Sequence, residues 1–170
     1  MTAWLTAEQQ THWRAFLSVI ALLPDEFSRD IQCSHGVSMA DYEILVRLSE
    51  SPDRCMRMSD LAARTLASRS RLTHQIDRMA RDGYVERRPC SDDKRGYLAV
   101  MTDAGWDKLV ETAPSHVASV REHLVDILTA EEFALLGELS NKILASLTSE
   151  NKLKRLDLPC TNETGKEIND

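Results

Sequence analysis

Cationic and hydrogen-bonding side chains are unevenly spread along this chain. Between Arg54 and Gly96 stand eleven Arg and Lys against six Asp and Glu, a net charge of +5, on a chain of 170 residues whose total is −6. Within that stretch Ser68, Arg69, Ser70, Arg71, Thr73, His74 and Arg78 bring guanidinium, hydroxyl and imidazole groups into one short run. Such groups are donors for phosphate oxygens and for the edges of bases, and releasing counterions from a polyanion is what a basic island of this kind does best. A second charged run, Ser91 to Gly96, holds Asp93, Lys94 and Arg95. A merely solvated charged face is the competing reading. The elements around the charges decide between the two.

Those elements read as helix, turn, helix and a two-stranded ribbon. Ser59 is a suitable N-cap for a short helix with Leu61, Ala62 and Leu66 inward, and the small Ala62 and Ala63 admit a second helix close by. Ser68 caps that second helix. Leu72, Ile76, Met79 and Ala80 fall at i, i+4, i+7 and i+8, one apolar stripe, which leaves Arg69, Ser70, Thr73, His74, Asp77 and Arg81 on the other face. Gly83 supplies the left-handed residue that ends the helix near Asp82. Tyr84–Arg88 and Tyr97–Met101 then read as strands joined by the charged Ser91–Gly96 connection, a wing. The N-terminal part of a recognition helix enters a major groove, so Ser68, Ser70, Arg71, Thr73 and His74 are candidates for base edges and nearby phosphates, with guanine suited to Arg71 or His74. Arg69 and Arg78 are candidates for phosphate contacts that set register.

The run Leu72 to Val85, followed by Glu86-Arg87-Arg88, the wing with Asp93 and Arg95, and then Met101-Thr102-Asp103-Ala104-Gly105, resembles the MarR family of bacterial winged-helix transcription regulators. Met101 stands where Leu is usual. The likeness runs from about Thr6 to Leu147 and is strongest in the winged-helix part. It implies a mainly α fold with a small β-wing: a winged helix-turn-helix core flanked by N- and C-terminal dimerisation helices. It also implies a homodimer that binds double-stranded DNA at two inverted half-sites. In the wing it puts Arg95 in the minor groove, Asp93 beside it as the acceptor that holds the guanidinium, and Lys94 on the backbone.

Four segments follow from this reading: a dimerisation helix at 1–37, the DNA-binding region at 38–101, C-terminal dimerisation helices at 102–148 and a mobile tail at 149–170. Thr6-Ala7-Glu8-Gln9 is a capping box opening a helix with Trp13, Phe16, Leu17 and Ile20, then Leu23, Phe27 and Ile31, on one side, and Pro24 is expected to kink or break it. Ser38 to Asp41 opens a helix with Tyr42, Leu45 and Val46 inward. Thr102 caps a long helix bent at Pro114, and Thr129 to Glu132 is a third capping box. A long apolar face near the N-terminus needs a cover, and a second subunit is the natural one.

Composition limits the alternatives. No apolar run approaches the ~20 residues of a membrane span and no secretion signal is evident, so a cytoplasmic protein without membrane contact is expected. Cys33, Cys55, Cys90 and Cys160 form no CxxC, and His116 and His123 alone are too few for a metal site, so no metal or cofactor is expected. There is no nucleophile elbow, phosphate-binding glycine loop or compact carboxylate pair, so an enzyme is not expected.

The input to such a regulator has two readings. The resemblance implies release by a small aromatic or anionic effector bound between the dimer helices and the winged domain, with Trp13, Phe16, His35 and Tyr42 on the segments lining that pocket. The alternative is a thiol switch at Cys33, near the end of the first helix, or Cys90, at the base of the wing. A winged helix that grips a protein rather than DNA is a third reading, marked by an affinity insensitive to salt.

Overall fold

The computed structural model describes residues 3–65, 67–90 and 96–147. Leu66, the wing residues Asp93, Lys94 and Arg95, and the tail expected at 149–170 lie outside the described residues. Six helices and three short strands follow one another as α1 (Ala7–His35), α2 (Met39–Ser49), β1 (Cys55–Arg57), α3 (Met58–Arg64), α4 (Arg69–Arg81), β2 (Val85–Pro89), β3 (Tyr97–Met101), α5 (Asp103–Val120) and α6 (Ala130–Leu147).

Most boundaries follow local chemistry. Thr6 and Gln9 form a reciprocal capping box at the start of α1, and Gly36, at φ 67°, ends it in the left-handed conformation. Ser38, Ser68 and Thr102 each accept a backbone N–H in the first turn of α2, α4 and α5. The Thr129 and Glu132 side chains and backbones exchange hydrogen bonds of 3.2 and 2.8 Å at the start of α6. One expectation fails, and two prolines stand inside continuous helices. Ser59 is not a cap: β1 runs straight into α3, so the extended N-cap residue is Arg57, and the Ser59 hydroxyl instead donates to Asp60 at 3.2 Å. Pro24 lies inside an unbroken α1. The carbonyl it leaves without an intrahelical partner belongs to Ile20, a residue 49% exposed. Pro114 lies inside α5, and beyond the end of that helix comes one π-helical stretch, Arg121–Val125.

The three strands form an antiparallel sheet in the order β1-β3-β2, with Met56 and Arg87 flanking Ala99 and Val85 opposite Met101. Met56, Val85, Ala99 and Met101 are buried beneath Leu61, Leu72, Ile76 and Met79 of the two helices, together with Ile31 and with Tyr42, Ile44, Leu45 and Leu48 of α2. That shared core fixes how α4 sits on the sheet, since each of its buried Leu, Ile and Met side chains is worth about 1.5–3 kcal/mol. The outer helices differ. Trp13, Phe16, Leu17 and Ile20 of α1 stand exposed, and α6 buries none of its residues, leaving Phe133, Leu136, Leu139 and Ile143 open. Among the described residues no helix is long and apolar enough to cross a membrane.

Candidate nucleic-acid interface

One edge of α4 is left for chemistry. Leu72, Gln75, Ile76 and Met79 face inward, so Ser68, Arg69, Ser70, Arg71 and His74 stay exposed at its N-terminal half. The Ser68 hydroxyl is committed to the Arg71 N–H at 3.2 Å, which orders the turn from which the two arginines project. Among the described residues Arg69, Arg71 and His74 have no ion-pair partner. Unpaired cations on the first turns of an exposed helix suit an anion. Thr73 is half-buried and donates to the Arg69 carbonyl at 2.9 Å, so its hydroxyl is already engaged.

Arg78, expected as a phosphate contact, has a partner within the protein and stays half-exposed. Its Nη2 lies 2.6 and 2.8 Å from the two carboxylate oxygens of Asp41 on α2. The same carboxylate accepts from Gln75 Nε2 at 3.2 Å and from the Ser38 hydroxyl at 2.7 Å. Asp41 was legible only as the last residue of a capping box. Its partners on α4 lie 34 and 37 residues away, beyond any local pattern. Arg87 pairs with Asp77 at 2.8 Å and lies 4.5 Å over the Tyr97 ring, and Arg88 pairs with Glu86 at 2.8 Å. These pairs draw two of the basic residues of the ribbon back onto the protein.

A cavity of about 350 Å³ lies between the first turns of α4, the start of α3 and the sheet, lined by Arg69, Thr73, Arg87, Cys90 and Tyr97 among others. The four residues expected around an effector do not meet within the protomer. Trp13 and Phe16 lie near the N-terminus of α1, half-exposed and stacked on each other at 6.1 Å, while His35 is its last residue. At 1.5 Å per residue they stand about 30 Å apart. His35 is held by Ser115 at 2.7 Å and Glu111 at 3.3 Å of α5. Tyr42 is a core residue, its hydroxyl pushed up in pKa by burial, with its ring 4.7 Å from His116.

The cysteines are unequal. Cys33 is exposed, and Cys90 is 8% exposed where it lines the cavity beside α4. Burial also pushes the Cys55 thiol up, away from the thiolate. His123 pairs with Asp30 at 3.1 Å, while His116 faces Phe27 and Tyr42, so the two histidines serve different contacts.

The sequence profile of the MarR family matches residues 35–96, the span from the end of α1 through the wing. AbsC, a MarR family transcriptional regulator from Streptomyces coelicolor, is 46% identical, with a TM-score of 0.81 over 86% of this chain and 98% of that one. A second MarR family regulator from that organism, whose crystal structure is a complex with DNA, is 40% identical, with a TM-score of 0.84 over 88% and 94%. The transcriptional repressor YetL of Bacillus subtilis is 29% identical over 111 residues, which span 64% of this chain and 66% of that one.

Proposed function

The chain belongs to the MarR family of transcriptional regulators, not to a class of enzymes, and on that premise we propose that it is a homodimeric repressor that binds an inverted-repeat operator and is released by a small anionic aromatic compound. One observation carries the reading: α4 spends its apolar side on the core and presents Ser68, Arg69, Ser70, Arg71 and His74 on an exposed edge with the cations unpaired. That is what a helix entering a major groove requires, with Arg71 and His74 reaching base edges and Arg69 a phosphate. The relative solved with DNA supports DNA over protein as the partner, and the repressor YetL supports repression.

In this reading residues 38–101 bind DNA, while 1–37 and 102–148 pair two chains. The exposed apolar faces of α1 and α6 support the second role. A two-fold dimer places its recognition helices about 34 Å apart, one turn of duplex, and the wing's Arg95, held by Asp93, enters the minor groove with Lys94 on the backbone. For the effector, the segments carrying Trp13, Phe16, His35 and Tyr42 are one candidate and the cavity beside α4 another: its lining includes Arg69, Thr73 and the Arg87 guanidinium that lies over the Tyr97 ring. An anionic ring fits that chemistry, and its site touches the turns of α4 that meet DNA.

The test is to immobilise the protein, select fragments of its own genomic DNA at moderate salt and sequence them. Enrichment of an inverted repeat is expected, and hydroxybenzoates are expected to release it. Arg95→Ala is expected to weaken binding of the selected fragment at least tenfold at fixed salt without unfolding the protein. No enrichment, or an affinity that does not change with salt, would return the winged helix to a protein-binding role.

A further inference from the structure

Asp41 is the most heavily engaged carboxylate in the described structure, and it lies outside the edge that faces DNA. Its backbone N–H donates to the Ser38 hydroxyl at 3.1 Å, which donates back to the carboxylate at 2.7 Å. From α4 it accepts Gln75 Nε2 at 3.2 Å and Arg78 Nη2 at 2.6 and 2.8 Å. The carboxylate is 14% exposed and Gln75 9%. Four hydrogen bonds to one partly buried anion make a rigid clasp, because each charge-assisted bond shortens and directs the others.

The clasp lies on a functional stripe. Arg71, His74, Gln75 and Arg78 recur at helical spacing along α4, so one side of the helix carries two exposed donors at its N-terminal end and two clasped ones further on. A rotation of about 20° moves a side-chain tip ~6 Å from the helix axis by about 2 Å, enough to break a hydrogen bond to a base edge. The apolar stripe of Leu72, Ile76 and Met79 seats the helix on the core by shape, and the clasp adds a second hold on the side toward α2. The hydrogen bonds are directional.

We infer that Asp41 is a positioning residue for DNA reading: through Gln75 and Arg78 it sets the rotation of α4 on α2, and so the direction of Arg71 and His74, while keeping Arg78 off the phosphates. This rests on the proposal that α4 is the recognition helix. Specificity and general affinity should therefore part company in its variants. Asp41→Asn removes the anion, loosens α4 and releases the Arg78 charge.

The experiment compares binding to a fragment recovered by the genomic selection with binding to poly(dI-dC), over a salt series, below the melting temperature of each variant. For Asp41→Asn the ratio of the two affinities is expected to fall at least tenfold, with poly(dI-dC) binding unchanged or tighter. Ser38→Ala, which loses the cap but leaves the Arg78 contact, is expected to keep the ratio within threefold of wild type. Arg78→Gln is expected to match Asp41→Asn, and the double variant to add little. Should Asp41→Asn fold poorly, Arg78→Gln and Gln75→Leu carry the test. A ratio unchanged in these variants overturns the inference. So does an Arg78→Gln variant that weakens both duplexes equally and lowers the salt slope by about one, the behaviour of a direct phosphate contact. A wild-type protein that does not prefer the selected fragment overturns the DNA-reading proposal itself, and the inference with it.

Discussion

Gly105 has no room for a side chain. A β-carbon there would stand 2.1 Å from the Tyr84 carbonyl oxygen and 3.0 Å from Met101 Cγ. The backbone oxygen cannot swing aside, because it accepts the Thr102 N–H at 3.1 Å. Gly105→Ala is therefore expected to destabilise the fold by about 2–4 kcal/mol, read as a lower urea midpoint. The sequence showed this glycine as part of a motif; the reason for it lies in a contact between α5 and the residue before β2. His116 makes a second residue-scale case. Its ring is held between Tyr42 and Phe27, its Nδ1 has no hydrogen-bond partner, and burial pushes its pKa below the ordinary histidine value of about 6.5. The unfolded chain then takes up the proton first, so stability is full above that value and falls as pH drops below it. Asp30 and Glu111 act at lower pH. Hydrogen bonds, chiefly from Ser119 to Asp30 and from Lys108 to Glu111, hold both carboxyls below their usual range, and what they contribute is present above the usual carboxylate range and lost as pH falls further. Melting curves of His116→Phe are expected to lose the upper part of the acid sensitivity, just below pH 6.5, and to keep the lower part.

At the scale of elements, what was legible was whatever a residue does within four positions of itself. The caps at Thr6, Ser38, Ser68, Thr102 and Thr129, the stop at Gly83 and the apolar stripe of α4 all operate at that range. The errors came from longer range. Ser59 is an adequate cap, but strand pairing of Met56 with Ala99 carries the extended backbone to Arg57 and starts α3 two residues too early for it. Pro24 has the chemistry of a breaker, yet it stands exposed inside a helix of 29 residues that runs on through it. The Asp41 carboxylate beside Arg78, 37 residues away in sequence, likewise lay beyond any local pattern. Thr102 joins both ranges: its hydroxyl accepts from the Gly105 N–H at 3.0 Å and donates to the Gly83 carbonyl at 2.7 Å, fastening the start of α5 to the end of α4. Thr102→Ala is expected to cost about 1–2 kcal/mol, while Thr102→Ser, which keeps the hydroxyl, is expected to cost less than half as much in the same denaturation assay.

For the molecule as a whole the decisive feature is a division of labour. The sheet with α2, α3 and α4 closes on one core that takes in Ile31 of α1 and Leu109 of α5, whereas the rest of α1 and α6 leave Trp13, Phe16, Ile20, Phe133, Leu136, Leu139 and Ile143 in the open. Apolar exposure on that scale marks an interface, and the paired chain proposed above is its occupant. Leu139→Glu, a charge in the middle of the α6 face, is expected to shift sedimentation from dimer to monomer. It is also expected to lower affinity for an inverted repeat at least a hundredfold while leaving the sheet and its core intact, since a single half-site gains nothing from its neighbour. A regulator built this way has a further property. A helix with no fully buried residue within its own chain has little to hold it helical when alone, because a peptide of 18 residues is marginal in water. Its folding is then a mass-action event, so the melting temperature should climb with protein concentration, and a cell that makes too few copies holds frayed chains exposed to proteases rather than a small stock of working regulators. Abundance itself becomes a threshold: below it the protein is lost faster than it pairs, above it the population is stable.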